Sequence, residues 1–194
     1  MFPDFLENPS DVAAPLLLGC TLTRTITLNG EKHKLVARIV ETEAYDQDDP
    51  ASHAFGGPSE RNAAMFGPAA HLYVYVSYGM HHCCNVVCGP EGFGSGCLVR
   101  AVEPLEGVEV MRELREAGRA GKAHTGRARK HPLKLRDLTN GPGKVCAALG
   151  IDKELYGHDL TVEPLVLDFA PLLPGETIGR SPRVGISKNA DAQK

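Results

Sequence analysis

The sequence predicts an α+β fold built around an antiparallel sheet, because two hairpin patterns occupy the first half and helical patterns follow. A chain of 194 residues is long enough to bury a sizeable core within one domain. Hydrophobic residues make up 42% of the chain and charged residues 23%, which indicates a folded globular protein rather than a disordered one.

The first hairpin lies near the start of the chain. Residues 10–19 open with a helix-capping Ser-Asp pair and continue as an apolar run, which predicts a short helix. Residues 21–28 then alternate with period two, as a strand does. The pair Asn29-Gly30 is the strongest short hairpin signal, and residues 35–45 return as a second strand.

A second hairpin follows a long loop. Residues 46–67 are rich in Pro, Gly and Asp, and a loop of this length in a compact domain is usually functional or disordered. Residues 71–77 and 83–88 read as strands on either side of the corner Tyr78-Gly79-Met80. Residues 97–102 predict one further short strand.

Helical patterns dominate the second half. We expect Pro104 to be the first residue of a helix with an apolar stripe, ending at Gly118. Residues 141–149 predict another helix, opened by Gly-Pro-Gly and closed by Gly150. Residues 160–186 read as short strands broken by proline and glycine.

The cellular compartment is predicted from two features. The apolar stretch at residues 13–18 is far too short to cross a bilayer, and no basic segment precedes it as in a signal peptide. We therefore expect a cytoplasmic protein without a membrane partner. The six cysteines are scattered, so reduced and mostly buried thiols are expected rather than disulfides.

Positive charge is concentrated in one part of a mildly acidic chain. The net charge is −3, yet residues 112–136 hold nine Lys or Arg against two Glu. Such a region could bind phosphates without making the whole molecule basic. A solvated loop explains the same charge equally well.

Two carboxylates and an aromatic ring share one face of the second predicted strand. Side chains alternate across a strand, so Glu41, Glu43 and Tyr45 point the same way. Neighbouring carboxylates repel each other unless a cation or a solvent-filled cleft offsets the repulsion. A carboxylate beside a flat ring could accept a proton from water next to a planar ligand. Solvated glutamates on an exposed face are the commoner explanation.

Tyrosines are gathered at the second hairpin. Tyr73 and Tyr75 share a strand face, and Tyr78 falls at the hairpin corner. Aromatic rings stack on nucleic-acid bases, and a protruding ring can act as a wedge between base steps. Packing in the core or at an edge is the alternative and the commoner role of strand tyrosines.

An arginine ends the apolar segment of residues 97–99. Arg100 would be costly to bury there without a carboxylate partner, and Glu43 is the natural candidate. Such a pair would keep the glutamate charged and help to hold a water molecule.

Four motifs that contain these residues carry a resemblance to a known family. They are RIVETEAY at 38–45, SERNAAMFG at 59–67, LYVYVSYGM at 72–80 with Asn85 five residues later, and LVRAVEPLEG at 98–107. Together, in this order and spacing, they resemble the alkyladenine (3-methyladenine) DNA glycosylase family over about residues 17–186. The resemblance implies a curved antiparallel sheet with peripheral helices and a protruding β-hairpin.

The resemblance also implies roles for individual residues. Glu43 corresponds to the general base, and Arg100 and the carbonyl of Val184 to groups that hold the attacking water. Four residues would form the base pocket: Tyr45, His53, Tyr75 and Asn85. Two at the hairpin tip would enter the DNA: Tyr78 and Met80. Phosphate contacts are expected from Arg61, Lys144, Arg129 and Lys130.

The implied function is that of a monofunctional DNA glycosylase in base excision repair. It would flip alkylated or deaminated purines out of double-stranded DNA and hydrolyse the glycosidic bond, acting as a monomer without metal or cofactor. We expect one domain over residues 1–194 that lacks the family's final C-terminal strand. The preferred lesion among 3-methyladenine, 7-methylguanine, hypoxanthine and ethenoadenine is left open.

The sequence is also compatible with three alternative functions. A damage-binding protein without catalysis would need the same pocket but not Glu43. The sequence 140–144 slightly resembles a helix-hairpin-helix turn, although the β-rich first half argues against that glycosylase class. A structural zinc site is the least favoured, because neighbouring strand residues point to opposite faces and paired ligand spacing is absent. Its candidate ligands are His81, His82, Cys83, Cys84 and Cys88.

Overall fold

The computed structural model describes residues 4–120 and 133–184, and every structural statement below refers to them. Its strands are β1 (Thr21–Leu28), β2 (Glu31–Asp46), β3 (Leu72–Ser77), β4 (His81–Val87), β5 (Ser95–Glu106) and β6 (Leu165–Asp168). They form one curled antiparallel sheet in the order β3-β4-β5-β2-β1-β6. The predicted α+β fold with an antiparallel sheet is therefore confirmed.

Helices cover one face of this sheet. They are α1 (Ser10–Leu16), α2 (Val108–Ala120), α3 (Leu135–Thr139) and α4 (Pro142–Leu149), with short 3-10 turns at Asp4–Glu7, Ala63–Phe66 and Lys153–Leu155. Apolar side chains of the helices and of the covered sheet face form the main core. Burial of this apolar surface is the main force that holds helices and sheet together. None of the described helices is long and apolar enough to span a membrane.

Both predicted hairpins are present. Leu28 pairs with Glu31 across the turn, where Asn29 and Gly30 have φ of 52° and 85°. Two consecutive positive φ angles belong to a type I′ turn, whose twist matches that of the flanking strands. The second hairpin joins β3 to β4 and closes at the pair Ser77 and His81. All six cysteines are buried free thiols, as expected.

The prediction that Pro104 begins a helix was wrong. Strand β5 continues to Glu106, and Pro104 lies opposite Ala37 beside a register shift. Proline lacks an N–H and is tolerated in sheets at such irregularities, so the residue is compatible with a strand as well as with a helix start. Helix α2 begins only after Gly107, whose φ is +76°, and it continues past Gly118.

Two other boundaries also differ from the prediction. Helix α1 ends at Leu16, and Gly19 forms a turn with φ of +97° instead of closing the helix. Within the predicted strand region 160–184, β6 is the one strand that the structure describes. Proline and glycine break the rest into an extended segment. The helix of residues 142–149 is confirmed, with Gly150 in the left-handed region at its end.

Irregular pairing between β2 and β5 changes which side chains face each side of the sheet. Register shifts fall between Ile39 and Glu41 and again between Glu41 and Thr42. Val40 in one strand and Arg100 in the other are therefore left without a partner residue. A bulge bends a strand and re-aims the side chains that follow it.

The consequence is a change of phase within β2. Before the bulges, odd-numbered residues such as Leu35 and Ile39 are buried beneath the helices. Beyond them, even-numbered residues face that side, and the Thr42 hydroxyl donates to the carbonyl of Ala14 in α1 at 2.9 Å. Glu43 is thereby placed on the opposite face.

Candidate active site

A pocket of about 410 Å³ lies on the sheet face that carries Glu43, and Pro142 at the start of α4 also lines it. The ends of β2 to β5 form its floor, and the loop of residues 47–66 forms one wall. All seven residues predicted for catalysis and for the base pocket line it: Glu43, Arg100, Val184, Tyr45, His53, Tyr75 and Asn85.

Glu43 lies at the base of this pocket with 7% of its surface exposed. Its Oε2 accepts a hydrogen bond from the hydroxyl of Tyr45 at 2.9 Å, and its Oε1 accepts one from the backbone N–H of Val184 at 3.0 Å. Charged and hydrogen-bonded partners are what a buried carboxylate requires. Val184 thus reaches the carboxylate through its N–H, and the implied role of its carbonyl stays a prediction.

Arg100 connects the two carboxylates of β2. Its Nε donates to Glu41 at 2.9 Å, and its Nη1 lies 3.6 Å from Oε1 of Glu43. The ion pair expected with Glu43 is present, but the shorter contact is with the exposed Glu41. One guanidinium therefore offsets the repulsion between two like charges on the same sheet face.

Aromatic rings form the walls of the pocket. The rings of Tyr73 and Tyr75 are stacked, with centroids 5.6 Å apart at 22°, and His53 meets Tyr75 edge-on with its centroid at 4.6 Å. Tyr73 also lines the pocket, but it is only 1% exposed and belongs to a small buried cluster with Met65 and Val87. Tyr45 lines the pocket from β2.

Burial controls the protonation of these tyrosines. It raises the pKa of Tyr73 to about 12. It also raises the pKa of Tyr45 and Tyr75, with the negative charge of Glu43 adding to the effect at Tyr45. The phenols are therefore neutral at physiological pH, and the hydroxyl of Tyr45 keeps the proton that it donates to Glu43.

His53 is held by the loop and by β3. Its Nδ1 lies 3.0 Å from the hydroxyl of Tyr73, and its carbonyl accepts a hydrogen bond from the side-chain amide of Asn62 at 2.8 Å. The ring faces the open pocket, but the protein atoms packed around it and the positive charge of Arg61 lower its pKa. A neutral imidazole at neutral pH follows.

The floor of the pocket holds the predicted residue Asn85 and also Cys83, which the sequence motifs did not assign to it. Asn85 is 4% exposed and pairs in register with Leu98 of β5. Cys83, two residues before it on the same strand face, also lines the pocket, and burial raises its pKa to about 11. The period-two alternation with Asn85 is the signal that could have identified Cys83.

The hairpin tip projects beside the pocket. Tyr78 is 86% exposed and adopts a φ of 50°, and Met80 is 48% exposed. A bulky residue in the left-handed region is uncommon and costs backbone strain. Large exposed apolar side chains at the end of a rigid hairpin are suited to contact with a partner.

The predicted phosphate contacts are only partly described. Arg61 lies exposed in the loop that forms the pocket wall, and Lys144 is in the first turn of α4 with its Nζ donating to Asn140 at 2.6 Å. Arg129 and Lys130 lie outside the described residues.

No group of three or more potential metal ligands converges within residues 4–120 and 133–184. Cys83 faces the pocket, whereas Cys84 is buried in the main core. The thiol of Cys88 contacts that of Cys97 at 3.7 Å. Alternation along β4 thus sends the candidate zinc ligands in different directions.

Comparisons with known proteins agree with this geometry. The model of the methylpurine-DNA glycosylase (MPG) family matches residues 4–194. A protein of Nitrosospira multiformis is 45% identical over 97% of this chain and 84% of its own length, and one of Chlorobaculum parvum is 47% identical over 97% and 82%. Both are named as inferred 3-methyladenine DNA glycosylases. The chain therefore belongs to the methylpurine-DNA glycosylase family and is a hydrolase that acts on N-glycosidic bonds in DNA.

Proposed function

We propose that this enzyme flips alkylated or deaminated purines out of double-stranded DNA and releases them by hydrolysis, with Glu43 as the general base. The observation that carries the proposal is a buried carboxylate at the base of an aromatic-walled pocket, held by two hydrogen-bond donors and an ion pair. The glycosidic bond of a stacked base is out of reach, so the nucleotide must leave the helix.

The chemical step uses groups that are already in place. Glu43 accepts a proton from a water molecule, the water oxygen bonds to C1′ of the sugar, and the bond from C1′ to the purine nitrogen breaks with its electrons leaving on the base. A positioned base of this kind accelerates reactions by roughly 10²- to 10⁴-fold. The guanidinium of Arg100 stabilises the charged form of Glu43 before the proton moves.

Recognition of the base rests on the walls and the floor of the pocket. Tyr45 and Tyr75 both line it and offer π-faces to a flat ligand. Stacking on an aromatic ring is worth about 1–3 kcal/mol per base, and a cation gains further from the ring's negative face. Alkylated purines that carry a positive charge would benefit most. Asn85 at the floor is suited to discriminate among purine edges.

Contacts with the rest of the DNA involve the hairpin tip and positive side chains. We propose that Tyr78 and Met80 fill the gap left by the flipped nucleotide, and that Arg61 and Lys144 bind backbone phosphates. Action as a monomer stays a prediction. A cytoplasmic location stays a prediction.

The test is a base-release assay under single-turnover conditions on duplexes that contain 3-methyladenine, 7-methylguanine, hypoxanthine or ethenoadenine. Glu43→Gln should lower the rate by about 10²-fold or more, because its amide accepts no proton from water. DNA containing the lesion should still bind. Glu106→Gln is the matched control, since it makes the same change on an exposed carboxylate that pairs with Lys34.

Two results would contradict the proposal. Full base release by Glu43→Gln would remove this residue from the chemical step. Binding of damaged DNA by the wild type, without release of any of the four bases, would favour the alternative of a damage-binding protein.

A further inference from the structure

The last described segment, residues 169–184, forms no strand or helix and runs along the uncovered side of β2. It begins against Gly19, where an added Cβ would lie 2.9 Å from the carbonyl oxygen of Pro171. Further along, the guanidinium of Arg38 in β2 pairs with Glu176. The segment ends with the N–H of Val184 on Glu43. We call it the tail segment.

Arg183 is the residue that attaches the end of the tail segment to the pocket wall. Its Nη1 donates to the carbonyl of Ala44 at 2.9 Å and also pairs with the carboxylate of Asp49. The centre of its guanidinium lies 4.7 Å from the ring centroid of Tyr45. One planar group therefore joins the tail segment to the catalytic strand, to the loop and to an aromatic wall.

The ring of Tyr45 belongs both to the pocket and to the contact with the tail segment. It lines the pocket, and the guanidinium of Arg183 lies over it. Its side chain is 14% exposed and its carboxylate partner Asp49 is 17% exposed. A desolvated, paired guanidinium stacked on a ring fixes the position of that ring more firmly than a flexible ammonium would.

We infer that Arg183 is a positioning residue that holds two parts of the active site at once, the ring of Tyr45 and the N–H of Val184 on Glu43. This inference rests on the proposed function of the pocket. Val184 follows Arg183 directly, so the backbone that donates to Glu43 is placed by the anchored guanidinium one residue earlier. The Tyr45 hydroxyl, which donates to the other oxygen of Glu43, is placed by the same group through the ring.

The test compares three arginine variants of the full chain. Arg183→Met keeps an unbranched stem but removes the ion pair and the stacking. Arg183→Lys keeps a charge for Asp49 without the planar fork. Arg38→Met is the matched control, because it removes the other arginine–carboxylate anchor of the tail segment, with Glu176 as its partner. Each is measured for thermal midpoint and for the maximal rate and half-saturating concentration of single-turnover base release.

Arg183→Met should lower the maximal rate about 10- to 100-fold, since displacement of a catalytic group by about 1 Å has effects of that size. It should also raise the half-saturating concentration, and Arg183→Lys should recover part of both losses. Arg38→Met should lower the thermal midpoint and leave both kinetic parameters as in the wild type. Equal kinetic losses in Arg38→Met and Arg183→Met would overturn the inference, because they would indicate general loosening of the tail segment.

A second readout does not depend on catalysis. The Glu43→Gln variant is mixed with a duplex that contains ethenoadenine, and the fluorescence emission of that base is recorded. The emission reports how the flipped base stacks in the pocket. The double variant Glu43→Gln/Arg183→Met should show a smaller change in emission on binding, because Tyr45 is no longer held. Unchanged emission together with unchanged release in Arg183→Met would overturn the role of Arg183.

Absence of release in the wild type would instead overturn the proposed chemistry, and the emission would still test Arg183. If Arg183→Met does not fold, Arg183→Lys and Asp49→Asn test the same contacts.

Discussion

At the scale of single residues, the carboxylate of Glu43 is held by groups from three different elements of the fold. Tyr45 is two residues away in the same strand, Arg100 comes from β5, and Val184 comes from the tail segment. Each of the three contacts stabilises negative charge at a buried position. Loss of one of these contacts is therefore expected to lower the rate of hydrolysis. Loss of base stacking is expected to weaken binding of the damaged DNA instead.

Tyr45→Phe separates these two effects. The substitution keeps the ring on the pocket wall and removes the hydroxyl that donates to Oε2 of Glu43. A hydrogen bond to a charged group contributes about 1.5–3 kcal/mol, so we expect the single-turnover rate to fall by about 10- to 100-fold. The affinity for damaged DNA, measured by titration, should stay close to that of the wild type. A lost affinity with an unchanged rate would show that the hydroxyl serves binding instead.

At the scale of elements, the strands of the β3–β4 hairpin contribute to stability, whereas its tip is available for function. Its strands are anchored in the sheet, while Tyr78 at its tip is 86% exposed and contributes little to the core. Changes to exposed side chains usually alter the free energy of unfolding by less than about 0.5 kcal/mol. The tip can therefore be specialised for contact with DNA at little cost to the fold.

Tyr78→Ala should weaken binding and release on duplex substrates while leaving the thermal midpoint unchanged. A single-stranded substrate should be affected less, because no base stack has to be opened and filled. Val162→Ala is a suitable control, since Val162 is also exposed, at 51%, and lies in the 159–164 turn. Equal losses on single- and double-stranded substrates would contradict a wedge at the tip.

The bulges of β2 and β5 show what strand-level reasoning captures and what it misses. Alternation correctly put Glu41, Glu43 and Tyr45 on one face, because the three follow the bulge at Val40. It could not show that this face is the opposite of the one filled by Ile39. The missing information is the pairing with β5, since a bulge is a property of two strands and not of one sequence.

At the scale of the whole molecule, the net charge of −3 means that attraction to DNA must be local. Each phosphate neutralised by a cation releases counterions, which gives the logarithm of the binding constant a slope of about −0.9 against the logarithm of salt concentration. If both residues bind phosphates, the double variant Arg61→Gln/Lys144→Gln should make this salt dependence shallower, by about 2 in the magnitude of the slope. Lys32→Gln, an exposed change at the β1–β2 turn, should leave it unaltered.

Stability should depend on pH through His53. Its pKa in the folded protein lies below the ordinary value of 6.5, because burial and the positive charge of Arg61 disfavour the charged ring. The unfolded chain then binds the proton more readily, so this contribution is present above about pH 6.5 and is lost as the pH falls. Thermal midpoints of the wild type should decline more steeply between pH 7 and 5 than those of His53→Gln. Identical slopes for the two proteins would remove His53 as the cause.

The sequence by itself determined the two hairpins, the helix of residues 142–149 and seven of the residues that line the pocket. These depend on local chemistry, such as positive φ at Asn29 and Gly30, or on motifs that carry their residue types with them. Only the tertiary structure decided that Pro104 belongs to a strand, that Arg100 is shared between Glu41 and Glu43, and that Arg183 lies over the ring of Tyr45. Such contacts join residues far apart in the chain, and their geometry follows from packing, bulges and burial, which spacing along one strand does not encode.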